Sequence, residues 1–495
     1  MPAIQVIPQD IRTRGDYVEV DNSGARGAVV SKRAVLWGQR SADGQVAEGE
    51  LTPVLSVSDA KAWFGEGSML ALMAEAYILG DPGGELWAVP LDDPDGGTAA
   101  VRTLTFAGSA DEDGTLALYV HGRVIRIAIA EGDTQDEQAA AVEAALDEVS
   151  DLPFASWTAT DNTVALVALN KGTIGNLIDV RFNARGRAAD EQLPAGVSVS
   201  VTLTTPGVGV PSLTPAIAAI SGERFTYCAH PYSDAAELAT IEAAYANRWN
   251  YEYQDYGHVV TARVGDKGTL ATYGEGLNGP ETSVVALEGS DGNTPSGSHW
   301  VPMVAAAVLA AVAVRTRNLA TRPVDGAKVV GIMAAPVGER WTRKDRDALM
   351  KAGLTPLIGI GSGLVLEDMV TLYQVDESDA EDASFRSINT RLALEDMAVE
   401  APIRVRQTYP GHVLVPDGTK VNSGVPAVAP AEIEGTISGL YSEWVGRGLA
   451  VDAVGFNKTL DADINPSNNR MVDIFLEPRI PGGYVISRWR IRFAL

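Results

Sequence analysis

Histidine and cysteine, which often carry catalysis or bind metals, are scarce in this chain and far apart. No two histidines are separated by three or four residues, the spacing that places two metal ligands on one helix face. A metal site would therefore have to be assembled from distant parts of the chain. We interpret each histidine as a strand-end or loop residue, and the five are His121, His230, His258, His299 and His412.

Three loops resemble ligand-binding motifs but lack an essential residue. The glycine-rich residues 359–363 have no following lysine, and the next predicted element is a strand, which offers no helix N-terminus to a phosphate. The acidic residues 376–382 contain no glycine for the bend of a calcium loop, and residues 461–465 are followed by Pro466 at that position. We interpret all three as solvated loops or turns, and we predict no cofactor, no metal and no catalytic residue.

Composition and charge exclude further classes of function. The chain has 39 basic and 64 acidic residues and a formal net charge of −25, which repels the phosphate backbone of nucleic acids. Hydrophobic residues make up 46% of the chain, as in an ordinary globular protein. The single cysteine, Cys228, excludes an intrachain disulfide and any two-cysteine metal or redox motif.

The longest apolar run is too short to cross a membrane. Residues 300–314 are rich in alanine and valine and end at Arg315. As a helix they would span about 22 Å, whereas a bilayer core is roughly 30 Å thick. We therefore predict a buried core helix. The first 21 residues have no unbroken apolar core, so no targeting signal is predicted.

The pattern of helices and strands predicts a multidomain α/β (α+β) fold. After Phe225 helices and strands alternate, which favours an α/β layer, whereas the preceding segment is mostly strands with one helix. The predicted parts are an extended arm at 1–25, the first part of an α/β domain at 26–97, an inserted β-rich domain at 98–215, an α/β core at 216–420 and a C-terminal domain at 421–495.

Local signals predict several element boundaries. Apolar spacing predicts a helix over residues 68–79, and Thr134 with Glu137 forms a capping box for a second helix. Asp234 with Glu237 is expected to cap a third helix. Residues 368–374 and 471–476 have strand composition, and a helix is expected around 432–446.

The last twelve residues are predicted to form an unusual terminal strand. Alternation within residues 484–495 places aromatic and aliphatic side chains on one face and arginines on the other. Three arginines on one strand face repel one another unless carboxylates lie opposite. The face is either simply solvated or docks against an acidic neighbour in the same chain or the next. The apolar residues are Trp489, Ile491, Phe493 and Leu495, and the cations are Arg488, Arg490 and Arg492.

The N-terminal arm offers an acidic strand of matching character. Tyr17, Glu19 and Asp21 share one face of a strand-like segment that has no neighbouring strand in sequence. Two terminal strands of opposite charge suit β-augmentation, in which a strand of one subunit completes the sheet of another. A free arm of this type could equally be disordered or fold back on its own subunit. We predict an inter-subunit link that involves both chain ends.

An ordered series of motifs along nearly the whole chain resembles the contractile-tail sheath proteins, in the branch typified by Mu-like phages. No single motif is highly specific, but their order is that of the family. Residues 376–382 and the terminal arginine face are more charged than the family pattern. The matching segments are residues 7–12 and 17–19 in the arm, 64–69, 171–176, 344–353 with Thr355, 370–373, and 465–470.

The resemblance implies a structural and mechanical protein. Sheath subunits of this family form sixfold rings wound helically around a tail tube, with an inner α/β domain built from both chain ends, an inserted outer domain and terminal linking arms. Contraction drives the tube through a bacterial envelope without nucleotide hydrolysis. The implied partners are further copies of the chain, the tail tube protein, and baseplate and terminator proteins. The implied location is the virion tail, assembled in the host cytoplasm.

Two other classes of function remain open from the residues alone. An α/β enzyme would require a reactive pocket, which the sequence does not indicate. A surface adhesin or receptor-binding protein could use the β-rich domain at 98–215 to bind a ligand. Polymerisation of the purified protein separates these classes from a sheath subunit, because neither of them needs to form a helical polymer.

Overall fold

The computed structural model describes residues 32–289, 300–361, 363–422 and 424–485, together with Ser487 and Arg490. Helices and several sheets alternate along this part of the chain, so the predicted mixed α/β class is confirmed. The division into five parts remains a prediction, and the following elements are given in chain order.

The first described segment supplies three strands and two helices. Ser68 caps the second helix, since its side chain accepts a hydrogen bond from the amide of Ala71. The helix predicted over 68–79 is thus confirmed, while the short helix before it was not predicted. The elements are β1 (Ala34–Gln39), β2 (Thr52–Val54), α1 (Val57–Phe64), α2 (Met69–Gly80) and β3 (Leu86–Leu91).

The next segment is mostly antiparallel strands. The predicted capping box is confirmed, because the Thr134 amide donates to Glu137 Oε2 at 2.8 Å and the Glu137 amide donates to Thr134 Oγ1 at 3.4 Å. The elements are β4 (Ala99–Ala107), β5 (Gly114–Val120), β6 (Arg123–Ile129), α3 (Gln135–Asp147), β7 (Phe154–Thr160), β8 (Thr163–Lys171), β9 (Val180–Phe182) and β10 (Ser198–Thr205).

The following segment alternates helices and strands, as predicted. Its second helix begins after Asp234, but the side chain of Asp234 makes no capping hydrogen bond. That cap prediction was wrong, because Arg263 Nη1 donates to Asp234 Oδ1 at 2.9 Å instead. The elements are α4 (Thr214–Ala219), β11 (Tyr227–Ala229), α5 (Ala235–Arg248), β12 (His258–Gly265), α6 (Lys267–Glu275), β13 (Thr282–Glu288), α7 (Val301–Thr316), β14 (Lys328–Met333), α8 (Arg343–Lys351), β15 (Leu354–Ile360) and β16 (Gly363–Leu366).

The last described segment is mainly helical and ends in a small sheet. The strand predicted over 368–374 is wrong. Val370 forms only an isolated bridge to Ser387, and its amide donates to the Thr355 hydroxyl rather than to a strand ladder. The elements are α9 (Ile388–Thr408), β17 (Val413–Leu414), β18 (Ala427–Val428), α10 (Pro430–Arg447), α11 (Ala453–Thr459), β19 (Asp461–Ile464) and β20 (Val472–Phe475).

A nine-stranded sheet organises the body of the protein, in the order β14-β16-β15-β13-β12-β11-β1-β3-β2. The six strands from β15 to β3 are parallel to their neighbours, and β16, β14 and β2 pair antiparallel at the two edges. Parallel strands require cover on both faces. Helices α2 and α7 pack in the large hydrophobic core on one face, and α4 and α5 pack on the other.

Helix α7 is the buried core helix that the apolar run predicted. All but two of its sixteen residues are buried, and the indole of Trp300 just before it donates to the carbonyl of Ile174 at 2.9 Å. In the part of the chain that the structure describes, no helix combines the length and apolar character needed to span a membrane.

Residues 99–205 form two small sheets, β10-β4-β8-β7 and β6-β5-β9, beside the body. Asn170 joins them to it. Its Oδ1 accepts from the Met69 amide at 2.9 Å, and its Nδ2 donates to the Arg40 carbonyl at 2.8 Å. Lys61 and Asp151 form an ion pair across the same junction. These contacts connect α1 and α2 to the strand-rich segment.

Candidate functional site

Three of the five histidines are buried strand-end or turn residues, as predicted. His121 follows β5, His230 follows β11 and His258 begins β12. Burial lowers the pKa of His121 to about 4 and the pKa values of His230 and His258 to about 3. All three are therefore neutral near pH 7 and occupy different places in the fold. His412 lies in a loop after α9, and His299 lies outside the described residues.

The remaining reactive candidates are structural in this fold. Cys228 is fully buried in β11, and burial raises the pKa of its thiol to about 12, so the nucleophilic thiolate is not populated at neutral pH. The glycine-rich segment forms the β15–β16 turn, where Arg340 donates to the carbonyl of Gly361 at 2.7 Å. Among the described residues, no three histidine, cysteine or carboxylate side chains are placed to hold a metal ion.

The C-terminal segment contains a small sheet, β19–β20, with an acidic exposed face, and helix α10 supports this sheet. Helix α10 packs there through three aromatic side chains: Tyr441 stacks on Phe456 at 3.6 Å between ring centroids and lies 6.0 Å from Trp444. Arg404 of α9 donates through both terminal nitrogens to the Glu443 carboxylate of α10, at 2.9 and 2.7 Å. The position of α10 is thus determined by contacts within the subunit.

The two-stranded sheet β19–β20 lies on this support. Its antiparallel register pairs Asp461 with Phe475 and Asp463 with Asp473. The Ala462 amide donates to the Glu434 carboxylate of α10 at 2.9 Å. Since side chains alternate between faces, Ala462 and its neighbours of the same parity face α10. The opposite, exposed face carries three carboxylates and one phenyl ring, those of Asp461, Asp463, Asp473 and Phe475.

Within the described residues, neither β19 nor β20 has a second strand neighbour. Each strand therefore presents one row of backbone amides and carbonyls without a sheet partner, and in β19 the Ala462 amide of this row already donates to Glu434. Directly opposed carboxylates such as Asp463 and Asp473 are unfavourable in an isolated pair of strands. Phe475 is 57% exposed and Met471 is 43% exposed, which adds apolar surface at the same place. The small sheet thus combines open edges with an acidic outer face.

The sequence interpretation of residues 461–465 as a solvated loop was wrong. Asp461–Ile464 is strand β19, paired with the strand that had been predicted near 471–476. The helix expected around 432–446 is confirmed as α10. In residues 461–464 aspartate alternates with alanine and isoleucine, which is a strand pattern. This alternation could have predicted β19 from the sequence.

Most of the site residues predicted from the sequence lie outside the described residues. These are Tyr17, Glu19, Asp21, Arg488, Trp489, Ile491, Arg492 and Phe493. Arg490 is described and exposed, and it belongs to no strand. The strand predicted to begin at Tyr484 does not begin there, since Tyr484 and Val485 have no regular secondary structure. The proposed link between chain ends therefore stays a prediction.

Comparisons with known proteins find similarity to phage tail sheath proteins. Residues 206–372 match the family described as the phage tail sheath protein central domain, a range that contains six of the nine strands of the large sheet. The Mu-like prophage FluMu tail sheath protein of Haemophilus influenzae is 27% identical over 493 residues, 99% of each chain. The chain is therefore similar to a phage tail sheath protein over the full length of both chains. The family resemblance of the sequence is confirmed.

Solved structures similar to this chain also include sheath proteins. One is a sheath tail protein from Desulfitobacterium hafniense, with 12% identity, a TM-score of 0.47 and coverage of 94% of this chain and 100% of that one. Another is the helical sheath of the anti-feeding prophage in its contracted state, with 11% identity, a TM-score of 0.44 and coverage of 98% and 99%.

Proposed function

We propose that this chain is the structural subunit of a contractile tail sheath, which polymerises helically around a tail tube and contracts to drive the tube through a bacterial envelope. The observation that carries the proposal is the likeness to a tail sheath protein over the full length of both chains. The subunit acts mechanically rather than as an enzyme. In this proposal the energy for contraction resides in the extended lattice of subunits.

The small sheet β19–β20 is the proposed acceptor for strands of neighbouring subunits. A two-stranded antiparallel sheet is only marginally stable in water, whereas a third and fourth strand complete its hydrogen bonds. β19 and β20 each offer one edge, and the chain has two terminal segments with strand character. β-Augmentation at both edges would join each subunit to two others through main-chain hydrogen bonds.

Charge complementarity assigns the C-terminal segment to this acidic sheet. A strand formed by residues 488–493 carries Arg488, Arg490 and Arg492 on one face. We propose the pairing register that sets these arginines opposite the odd-numbered residues of the small sheet, so that they lie on the face of Asp461, Asp463 and Asp473. The added cations also relieve the repulsion between the opposed carboxylates.

The apolar face of the same strand then points toward the support helix α10. Trp489, Ile491 and Phe493 would extend the apolar layer that Ala462 begins. The N-terminal strand with Tyr17, Glu19 and Asp21 is proposed to pair beside the arginine strand or at the remaining edge. Strand-linked subunits can change their packing during contraction and remain connected.

The remaining roles in this proposal follow the sheath architecture. Residues 98–215 form the outer domain, residues 26–97 with 216–420 form the α/β body, residues 1–25 form an arm and residues 421–495 form the linking domain. The partners are further copies of the chain in sixfold rings, the tail tube protein, and baseplate and terminator proteins. The assembled protein is a part of the virion tail, built in the cytoplasm of the host.

Negative-stain electron microscopy of the purified full-length chain tests the proposal. We expect striated hollow cylinders, because open strand edges on every subunit favour a helical polymer. Persistent monodisperse monomers at high protein concentration would contradict it, and monomers that bind glycans would favour an adhesin. A test variant has Asp461, Asp463 and Asp473 changed to Asn. It keeps the alternating strand pattern but removes the three negative charges, and it should polymerise less than the unaltered chain.

A further inference from the structure

The chain enters the body of the protein at the middle of the large sheet. β1 follows directly after residues 1–33 and pairs parallel with β3 on one side and with β11 on the other. The ladder continues one residue before β1, because the Tyr227 amide donates to the Arg33 carbonyl at 3.2 Å. Any pull on residues 1–31 therefore reaches a central strand, which has hydrogen-bonded neighbours on both sides.

Lys32 is anchored on the face of the sheet that α7 and α9 cover. Its ammonium lies 2.9 Å from Asp396 Oδ2 of α9 and 3.5 Å from the Thr316 carbonyl of α7. The Lys32 side chain is only 7% exposed, so the ion pair is largely shielded from water and salt. Pulling Lys32 away would leave the partly buried carboxylate of Asp396 without its cation, which is unfavourable.

Arg33 is anchored on the opposite face. Its Nε donates to the Arg224 carbonyl at 3.1 Å, and its Nη2 lies 2.8 Å from Glu223 Oε2. The guanidinium carbon lies 4.6 Å from the centroid of the Phe225 ring, within the range of a cation–π contact. The guanidinium plane thus binds a charge, a backbone carbonyl and an aromatic ring at the same time.

The alternation of β1 explains why consecutive residues reach opposite faces. Ala34 and Leu36 belong to the core that contains α7 and α9, whereas Val35 and Trp37 belong to the core that contains Phe225. Lys32 lies an even number of residues from Ala34 and Leu36, so its side chain lies on their face of the sheet. Arg33 is related in the same way to Val35 and Trp37 and lies on the other face. The two anchors therefore hold the backbone at the same point from both sides of the sheet.

We propose that Lys32 and Arg33 form a two-sided clamp at the root of the N-terminal arm, which makes tension on residues 1–31 load β1 along its axis. This inference rests on the proposed function, since linked subunits would pull on one another's arms when the sheath contracts. An axial load must break many ladder hydrogen bonds together, whereas a sideways pull breaks them one after another. The clamp prevents the sideways pull.

Constant-force measurements on single full-length subunits test the clamp. One handle is attached ahead of Met1, and the other to a cysteine replacing Ala239, which is exposed on α5. The native Cys228 is buried and does not compete for the handle. Thirty-one extended residues supply at most about 110 Å, so a longer extension step reports that the chain beyond residue 31 has been pulled out.

The informative variants are Lys32→Met, Arg33→Met and their combination, because methionine keeps an unbranched chain of similar length. We expect the lifetime before the long step to shorten in each single variant and at least tenfold in the double variant. The matched control is Lys458→Met, which removes an exposed lysine on α11 and should leave the lifetime unchanged. An unchanged lifetime in the double variant would overturn the clamp.

Loading the same variants in another direction separates a clamp from general stabilisation. With handles at Ala239 and at Ser442, which is exposed on α10, the clamp residues are not in the direct line of force. Because Asp396 and Thr316 lie between these two handles, we expect the double variant to lose some lifetime in this geometry, but less than under tension from the N-terminal handle. Equal weakening in both directions would overturn the directional role. Failure of the unaltered chain to polymerise would contradict the proposed function, while the single-subunit lifetimes would still decide the clamp.

Discussion

The nine-stranded sheet and the two-stranded sheet β19–β20 differ in how completely each satisfies its own backbone. Strands β1 and β13 are buried at every residue and have neighbours on both sides. In β20, Val472 is half-buried and the three residues after it are exposed. The large sheet can therefore fold with contacts from its own subunit, whereas the small sheet has capacity for strands from elsewhere.

We therefore expect the large sheet to determine the stability of the single subunit and the small sheet to determine polymerisation. Changes in the large sheet should alter the free energy of unfolding of each subunit, because they remove buried packing. Changes at the small sheet or in the terminal segments should alter polymerisation and leave the subunit folded. The following predictions test that separation, beginning with the largest effect.

Deletion of residues 1–22 should abolish long sheaths and leave a folded, monomeric protein. The described cores are built from residues 34 onward, so few buried contacts depend on the deleted segment. Electron microscopy measures sheath length, and circular dichroism with thermal melting measures folding. Cylinders of normal length from the truncated chain would show that the arm is not a link.

Changing Arg488, Arg490 and Arg492 together to Glu should prevent polymerisation and leave the melting temperature unchanged. The substitution places carboxylates on the side of the small sheet that already carries Asp461 and Asp463. A change of 1.4 kcal/mol alters one association constant tenfold, and the effect repeats at every contact in the polymer. Sedimentation velocity measures the loss of polymer.

The matched control for this triple variant is Arg343, Lys344 and Lys420 changed to Glu, which has the same change in charge at exposed positions. The control should still polymerise. Reversal of Glu19 and Asp21 to Lys should partly restore assembly of the triple variant if the N-terminal arm is the strand neighbour. Absence of rescue would remove that arm as the partner, and normal assembly of the triple variant would refute docking of the arginine face.

A matched pair of alanine substitutions compares the two sheets directly. Leu36→Ala in β1 removes a fully buried side chain and should lower the free energy of unfolding by about 2–5 kcal/mol. Phe475→Ala in β20 removes a side chain that is 57% exposed and should change it by no more than about 0.5 kcal/mol. Urea denaturation measures both, and a larger loss for Phe475→Ala would refute the comparison.

Titration of Glu395, a carboxyl of α9 buried against the large sheet, should contribute to the pH dependence of the free energy of unfolding. Burial raises its pKa from 4.5 to about 7, and Asp396 adds to this effect while Lys32 opposes it. The Glu395 carboxyl then binds more protons in the folded state than in the unfolded state between these values, so its contribution to stability is largest below about pH 4.5 and is lost as the pH rises through about 7.

Glu395→Gln should remove this part of the pH dependence. The difference in unfolding free energy between the two proteins should change by roughly 3 kcal/mol between pH 4 and pH 8, in favour of the variant at pH 8. The Thr226 hydroxyl, which donates to Glu395 Oε1 at 2.6 Å, keeps an acceptor in the amide. Parallel stability curves for the two proteins would contradict the prediction.

The smallest effect is expected on the exposed side of α10. Gly435 and Gly439 lie in the interior of this helix, and an added Cβ would meet no atom within 4 Å at either position. Gly→Ala should stabilise the subunit by about 0.5–1 kcal/mol at each site, chiefly by lowering the entropy of the unfolded chain. Thermal melting measures the gain, and a loss of stability would show that the helix needs glycine there.

Local signals predicted the elements that depend on neighbours in sequence. The capping box of Thr134 and Glu137 and the buried helix α7 were predicted because their hydrogen bonds and apolar spacing lie within a few residues. The cap prediction for Asp234 was wrong because its carboxylate accepts a hydrogen bond from Arg263, 29 residues later. Residues 368–374 failed as a strand because distant groups such as the Thr355 hydroxyl bind their backbone.

The candidate assembly surface was only half predictable. Alternation with a period of two predicts the terminal arginine face, which stays a prediction. The acidic acceptor was missed because residues 461–465 resemble a metal loop until their pairing with residues 472–475 is known. The family resemblance supplied the functional class, which neither the reactive residues nor the composition could supply.

Short-range periodicity predicted the buried helix α7 and the capping box of α3, and composition set the acidic overall charge. The pairing of distant segments is visible only in the folded chain. There β1 lies between β3 and β11, with Lys32 against α9 and Arg33 against Phe225. Strand pairing and ion pairing between residues hundreds of positions apart depend on the assembled core. No local sequence pattern specifies these pairings.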